Sequence, residues 1–333
     1  MIFSPFKMMF ISSLFSGAIL AISSGSWILA WIGLELNLMS FIPLIISKPN
    51  SLSSEASLKY FLIQALGSAL IILAASLISL SLNLFLLTLS CALLMKMGSA
   101  PFHFWFPQVM EGMNWFHSSL LMTIQKLAPM FLISYLTPNN FCWIVIFFAA
   151  SGSALIGALG GLNQTSMRKL LSFSSINHMS WMLFAMLTSE VLWALYFLLY
   201  SAIIISVTVL FSSLQVHYIS SLTGTEESPL SKIISILSLF SLGGLPPFSG
   251  FIPKWIVVQE MASHSYFHAL SLLLFCSLIT LYFYIRLAIS SLSQSAPQNK
   301  HQTTREPKIS FQTLFFSFLN LFGLSLTSIL IFT

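Results

Sequence analysis

Four ionisable side chains stand inside apolar stretches of the sequence: Glu35, Lys96, Lys126 and Lys254. A charge at the centre of a bilayer costs roughly 2.5–3.5 kcal/mol on insertion scales, so such residues are candidates for an ion or proton path. Lys96 and Lys254 also lie within eight residues of a Gly/Pro break. Broken membrane helices are tolerated only where the freed backbone is buried in protein or lines a cavity. Together these features favour a protein that moves protons through a membrane.

Glu35 and Lys96 are the pair that could act as a switch. A neighbouring carboxylate keeps a lysine charged, whereas separation in dry surroundings lets the lysine release its proton. The alternative is a static ion pair that fixes two helices. Lys126 is too central in its stretch to reach either surface, which favours a role in proton relay. Lys254 opens the second half of a broken stretch, and its alternative role is to balance the helix dipole at the break.

Two histidines could extend this relay, His103 directly after Pro101-Phe102 and His178 in an apolar stretch. Imidazole titrates near neutrality and could bridge neighbouring lysines. A hydrogen-bonded structural histidine is the alternative for each. The remaining histidines are expected near interfaces or in loops: His117, His217, His264, His268 and His301.

The composition excludes several classes of protein. The chain has 333 residues, of which 57% are hydrophobic and 6% charged, whereas soluble domains carry about 25% charged residues. The net charge of +5 is too dilute for nucleic-acid binding, which needs clustered basic residues. Three cysteines lie far apart without a Cys-x-x-Cys motif, so Fe–S, zinc and disulfide frameworks are not expected.

Hydropathy predicts an all-α polytopic membrane protein, since a spanning helix needs about 20 mainly apolar residues. Eleven stretches meet this rule: 3–22, 25–46, 57–79, 83–104, 116–136, 141–160, 168–188, 190–215, 231–261, 265–290 and 310–332. The fourth contains Gly98-Ser-Ala-Pro and the ninth contains Gly243-Gly-Leu-Pro-Pro. Proline removes a helical hydrogen bond and clashes with the preceding turn, so both helices are predicted to be discontinuous.

The two breaks also indicate an internal repeat. Each places a glycine three residues before Pro-Phe, and the breaks are five helices apart. An odd offset means that five-helix repeats have opposite topology, as in inverted-repeat transporters. The predicted organisation is a first repeat at 1–137, a second, inverted repeat at 138–292, a polar loop at 293–309 and a C-terminal transmembrane helix at 310–333.

The basic residues predict the orientation. With eleven spans, the connections on the N-terminal side hold nine Lys or Arg and the opposite connections hold none: Lys7, Lys48, Lys59, Arg168, Lys169, Lys232, Lys300, Arg305 and Lys308. The positive-inside rule places that side in the matrix or cytoplasm. The N-terminal stretch lacks the Arg- and Ser-rich character of a transit peptide and is interpreted as the first membrane helix.

Six ordered motifs carry a family resemblance: WIGLELN (31–37), EASLKYF (55–61), KMGSAPFHFWFP (96–107), GGLNQTSMRK (160–169), SSINH (174–178) and GGLPPFSGFIPK (243–254). On these motifs the chain resembles the subunit 2 family of mitochondrial NADH–ubiquinone oxidoreductase, respiratory complex I, over essentially its whole length. The resemblance implies an antiporter-like subunit of the membrane arm with eleven spans. It also implies the mitochondrial inner membrane, with the N-terminus in the matrix and the C-terminus in the intermembrane space.

The resemblance further implies roles for individual residues. The transmembrane glutamate of the family corresponds to Glu35, its broken-helix lysine to Lys96, its central lysine to Lys126 and its terminal lysine to Lys254. Electron transfer from NADH to ubiquinone would separate Glu35 from Lys96 and drive a proton through Lys126 towards Lys254. A free-standing cation/proton antiporter and a purely structural spacer subunit are the alternatives.

The resemblance also defines the expected cofactors and partners. NADH, FMN, Fe–S clusters and ubiquinone are used by other subunits of the complex, so no redox centre is expected on this chain. The expected partners are other membrane-arm subunits, including neighbouring antiporter-like subunits, and phospholipids of the inner membrane. Nucleic acid is not expected.

Overall fold

A computed structural model describes residues 5–46, 50–224 and 229–293. Within these ranges the chain is helical throughout, apart from turns and an isolated bridge between Ser166 and Tyr218, which confirms the predicted all-α class. The helices described are α1 (Pro5–Ser23), α2 (Trp27–Ile45), α3 (Ser51–Leu77), α4 (Leu82–Met97), α5 (Trp105–Gly112), α6 (Trp115–Met122), α7 (Ile124–Ser134), α8 (Asn140–Gly160), α9 (Met167–Thr188), α10 (Glu190–Ser213), α11 (Ile219–Gly224), α12 (Pro229–Gly243), α13 (Phe251–Ser263) and α14 (Phe267–Ser293).

Seven of the described helices are long and apolar enough to cross a bilayer: α1, α2, α3, α8, α9, α10 and α14. The shorter α4 and α12 are apolar as well and lead into the two predicted breaks. The chain is therefore a multi-pass membrane protein. The predicted polar loop at 293–309 and the eleventh span at 310–332 lie outside the described residues, so the count of eleven stays a prediction.

The chain divides into two compact units, Met1–Ser153 and Ala154–Thr333. In the first unit, α1 and α2 pack with their backbones almost touching. A Cβ at Gly33 would lie 2.6 Å from the backbone nitrogen of Ala21, and a Cβ at Gly17 would lie 2.9 Å from that of Asn37. Small residues allow this approach, which is a common basis of helix association in membranes. Helix α3 packs on the other side of α2 and also contacts α4 and α5.

The second unit is arranged around α9, which is buried along most of its length and contacts α10, α13 and α14. A Cβ at Gly157 would lie 2.6 Å from the backbone nitrogen of Asn177, so α8 also approaches α9 closely. Helix α11 (Ile219–Gly224) lies in what the sequence predicts to be a loop.

The discontinuity predicted at Gly98 and at Gly244 is confirmed, and both breaks have the same local form. Gly98 has φ +72° and Gly244 has φ +78°, a left-handed conformation that glycine adopts without strain. In each case the N–H of the following residue reaches back to the carbonyl five residues earlier, Ser99 to Leu94 and Leu245 to Phe240. This is the Schellman ending of a helix.

Two sequence predictions of helix extent are wrong. The stretch 116–136, predicted as one helix, is divided into α6 and α7 at Thr123, whose φ of −114° and ψ of −82° are not helical. Pro129 lies inside α7 and has no N–H to donate to the Gln125 carbonyl, which loosens the turn before it. Helix α3 begins at Ser51, six residues before the predicted 57, so Glu55 also lies within the helix, where it pairs with Lys59 at 2.6 Å.

Candidate functional site

Glu35 and Lys96, which the sequence offers as a possible switch pair, lie on α2 and α4. Lys96 is 5% exposed at the end of α4, and Glu35 is half-buried in the middle of α2. The carboxylate is close enough to act electrostatically on the ammonium. Among the described residues, however, these two make no direct ion pair. A small displacement of α2 would therefore change the electric field at the Lys96 ammonium.

Helix α3 holds Lys96 at two points. The side-chain amide of Gln64 donates a hydrogen bond to the Lys96 carbonyl, 3.1 Å away. That carbonyl belongs to the last turn of α4, where it has no partner within its own helix. A Cβ at Gly67, three residues further along α3, would lie 3.0 Å from Cγ of Lys96 and 3.4 Å from its Cε. The absence of a side chain at Gly67 therefore makes room for the alkyl chain of the lysine.

Lys126 is the most deeply enclosed of the predicted site residues. It is 2% exposed and lies in the first turn of α7, three residues after the break at Thr123. Its ammonium stands 4.8 Å from the ring centre of Phe106 in α5, which is cation–π contact range. Its backbone N–H bonds to the Thr123 carbonyl, a three-residue step rather than the four of a regular α-helix. Lys126 is thus located next to irregular backbone, as Lys96 and Lys254 are.

A hydrogen-bonded bridge beside Lys126 is the part of the site that the sequence does not predict. The hydroxyl of Tyr60 in α3 donates to Oε1 of Gln125, 3.0 Å away. Nε2 of Gln125 in turn donates to Oδ1 of Asn37 in α2 at 2.9 Å. Tyr60 and Asn37 are 1% and 2% exposed. Interhelical hydrogen bonds in membranes contribute about 0.6 kcal/mol on average, so this bridge ties α2, α3 and α7 together at modest strength.

His103 lies in the break between α4 and α5 and is buried. Its Nδ1 is 3.2 Å from the Pro101 carbonyl, and its ring centre is 4.1 Å from that of Phe104. Among the described residues it makes no hydrogen bond to a lysine. His103 is therefore close to Lys96 in the sequence, but the two side chains are not hydrogen-bonded to each other.

In the second unit, Lys254 spans the break between α12 and α13. It is 8% exposed, and its ammonium donates a hydrogen bond to the Gly243 carbonyl at 2.8 Å. That carbonyl belongs to the last residue of α12, at the negative end of the helix dipole. Lys254 therefore makes the dipole-balancing contact that the sequence offers as its alternative role. The ammonium also stands 5.9 Å from the ring centre of Trp181 in α9.

His178 belongs to a buried group of aromatic hydroxyls in the same unit. Its Nδ1 is 2.9 Å from the hydroxyl of Tyr196, and its ring centre is 5.0 Å from that of Tyr200. Both tyrosines are 1% exposed and come from α10. Tyr200 also lies next to Ser175 and Tyr284, so the group extends to α14. A tyrosine hydroxyl can both donate and accept a hydrogen bond, so the Tyr196 hydroxyl joins α10 to His178 of α9.

Comparison with known proteins identifies the family. A family described as "NADH:quinone oxidoreductase/Mrp antiporter, TM" matches residues 24–89 and 78–280. NADH-ubiquinone oxidoreductase chain 2 of Anopheles gambiae is 45% identical over 334 residues, covering 96% of both chains. The chain belongs to the NADH-ubiquinone oxidoreductase chain 2 family. Chain 2 of Xenopus laevis is 38% identical over 302 residues, covering 87% of each chain. The resemblance carried by the six sequence motifs is thus confirmed.

Solved structures share the fold of this chain 2 family member. A chain of respiratory complex I from Thermus thermophilus superposes with a TM-score of 0.81 at 23% identity, covering 96% of this chain and 78% of that one. A chain of the Mrp complex from Dietzia sp. gives a TM-score of 0.80 at 16% identity, covering 96% of this chain and 75% of that one. This chain therefore shares its fold with one chain of each of these two membrane complexes.

Proposed function

We propose that this chain is a core subunit of the membrane arm of NADH:ubiquinone oxidoreductase, complex I, and that it couples electron transfer to proton translocation across the mitochondrial inner membrane. The observation that carries the proposal is 45% identity to a chain 2 protein over 96% of both chains. The buried lysines beside helix breaks support it independently. Charged residues are costly inside a membrane and are rare there except at sites of transport. The proposal assigns NADH oxidation and ubiquinone reduction to other subunits and places no redox centre on this chain.

The proposed relay has members in each unit. In the first unit these are Glu35, Lys96, His103 and Lys126, and in the second His178 and Lys254. Glu35 acts as the switch, since its field bears on Lys96 without a direct ion pair. Withdrawing the carboxylate favours release of the lysine's proton, and returning it favours uptake. Each proton moved against the membrane potential requires about 2.3 kcal/mol per 100 mV, which the redox reaction elsewhere supplies.

The topology proposed for this function has eleven spans in two inverted five-helix repeats and a C-terminal helix. The matching Schellman endings at Gly98 and Gly244 support the repeat, because equivalent helices are expected to break in the same way. The nine basic residues of the N-terminal side support a matrix location for the N-terminus. Neighbouring antiporter-like subunits and inner-membrane phospholipids are the proposed partners.

A free-standing cation/proton antiporter is the first alternative function. It is considered because this chain shares its fold with a chain of the Mrp complex. The two functions differ in assembly. Detergent-solubilised mitochondrial membranes, separated by native electrophoresis, test this directly. Migration only within a very large assembly that oxidises NADH supports the complex I role, whereas migration as a small free species contradicts it.

A purely structural spacer is the second rival, and replacing Lys126 by Met separates it from a proton carrier. Methionine keeps the length and apolar volume of the side chain but cannot carry a proton. In assembled complex, Lys126→Met is expected to abolish the share of proton translocation per NADH that depends on this subunit. Lys59→Met is the matched control, because Lys59 is 40% exposed and paired only with Glu55 at the surface of α3. Unchanged pumping in assembled Lys126→Met enzyme would contradict the relay.

A further inference from the structure

Gln125 contacts both helices that pack near Lys96, and its contacts suggest how the two lysine sites of the first unit communicate. It precedes Lys126 in the chain and is hydrogen-bonded to Asn37 in α2 and Tyr60 in α3. Resting on the proton-relay function above, we propose that the Asn37–Gln125–Tyr60 bridge positions Lys126 in response to the helix that carries Glu35. Gln125 is thus a positioning residue, since it acts through its neighbour.

The backbone around Gln125 needs such a side-chain anchor. Thr123 leaves the helical conformation, and Pro129 provides no N–H for the Gln125 carbonyl. The first turn of α7 is therefore held by fewer backbone hydrogen bonds than a regular helix. Because Gln125 and Lys126 are consecutive residues of this loosened turn, a pull on the Gln125 side chain moves the backbone that carries Lys126.

Helix α2 is in a position to exert that pull. It carries Glu35, which acts electrostatically on Lys96, and Asn37, which binds Gln125. The two residues are two positions apart on one helix, so a displacement of α2 as a unit that alters the Glu35–Lys96 separation also displaces Asn37. One movement of α2 would then act on Lys96 through charge and on Lys126 through a hydrogen bond.

Helix α3 provides the fixed end of the bridge. The Tyr60 ring lies 5.9 Å from the ring of Trp105 in α5, whereas its edge-on contact with Phe41, 5.2 Å away, is made to α2 itself. One turn further along α3, Gln64 binds the Lys96 carbonyl. The same helix therefore anchors the break after Lys96 and the turn that carries Lys126, while α2 makes the movable contacts to both sites.

The test uses variants of intact complex I that remove one hydrogen bond of the bridge, in Tyr60→Phe, or both, in Gln125→Leu. Tyr60→Phe deletes the hydroxyl and keeps both ring contacts, and Gln125→Leu deletes the amide at similar volume. Tyr135→Phe is the matched control, because Tyr135 is 54% exposed at the end of α7. Protons translocated per NADH are measured in proteoliposomes, with assembly checked by native electrophoresis. Tyr60→Phe is expected to lower the share of translocation that depends on this subunit roughly threefold, the change in equilibrium that loss of one average membrane hydrogen bond produces.

The double variant provides the decisive comparison. If both residues act through one bridge, Tyr60→Phe combined with Gln125→Leu lowers translocation no further than Gln125→Leu alone. Effects that multiply, or a Tyr60→Phe enzyme equal to the Tyr135→Phe control, would overturn the bridge. If Lys126→Met abolishes pumping while Tyr60→Phe does not alter it, the bridge fails and the relay stands. If Lys126→Met leaves pumping intact, the relay itself fails.

Discussion

The ammonium of Lys254 donates a hydrogen bond to the carbonyl oxygen of Gly243, 2.8 Å away, across the break between α12 and α13. The charge of the lysine and the free end of the helix thus stabilise each other in a region where water is scarce. This break has a structural role, because the free carbonyl at the end of the helix is the hydrogen-bond partner that a buried cation needs. A change in the protonation of Lys254 would therefore change the hydrogen bond at the end of α12.

Gly244 is predicted to be essential to this contact. Its φ of +78° is costly for other residues, and a Cβ there would lie 2.9 Å from Cδ of Lys254 and 3.1 Å from its Nζ. Gly244→Ala is therefore expected to cost about 1–2 kcal/mol in left-handed strain and to displace the ammonium from Gly243. The measurement is the proton-to-NADH ratio of assembled complex, together with its thermal stability.

Gly243→Ala is the control for that experiment. A Cβ at Gly243 would come no closer than 3.5 Å to Tyr284, which is ordinary van der Waals contact. This neighbouring variant is expected to behave almost like wild type. Equal pumping by the two variants would show that the geometry at Gly244 does not matter for Lys254.

Gly67 makes a corresponding prediction for Lys96. A methyl group at Gly67 would press on Cγ and Cε of the lysine at 3.0 and 3.4 Å, so the side chain would have to move by a few tenths of an ångström. Gly67→Ala is expected to reduce proton translocation with little loss of stability, since the lysine tail is flexible. Ser68→Ala, which removes only a hydrogen bond within α3 itself, is the control. A normal proton-to-NADH ratio in Gly67→Ala would mean that the placement of Lys96 is not critical.

The breaks at Gly98 and Gly244 could be predicted because glycine and proline act locally, through their own backbone preferences. The break at Thr123 could not, since threonine at that position carries no such signal. The nearest helix-breaking residue is Pro129, six residues later. The extent of α3 was underestimated because its first turns are polar.

The site was predictable only where a residue is unusual in a membrane. Lysines and Glu35 stand out in an apolar sequence, so they were found without structural information. Asn37, Gln125 and Tyr60 are unremarkable one by one, and their bridge joins residues 65 and 88 positions apart in the sequence. Such non-local pairing depends on how helices pack, which periodicity in a single sequence does not specify.

Tyr196 is predicted to support His178. Tyr196→Phe removes the buried hydrogen bond between the Tyr196 hydroxyl and Nδ1 of His178, 2.9 Å long, and loss of one such bond costs about 0.5–1.5 kcal/mol. The proton-to-NADH ratio of the assembled complex is expected to fall, whereas its thermal stability is expected to change little. Tyr282→Phe is the control because Tyr282 is 60% exposed in α14. Identical proton-to-NADH ratios in the two variants would remove His178 and Tyr196 from the proposed relay.

The most direct test of the central claim is to observe the proton on Lys126 during turnover. Infrared difference spectra, triggered by NADH in intact complex with and without ¹⁵N-labelled lysine, report changes in lysine protonation. We predict a lysine signal that disappears in Lys126→Met and persists in Lys59→Met. A spectrum in which Lys126→Met removes no lysine signal, in an enzyme that still pumps at the normal ratio, would contradict the account.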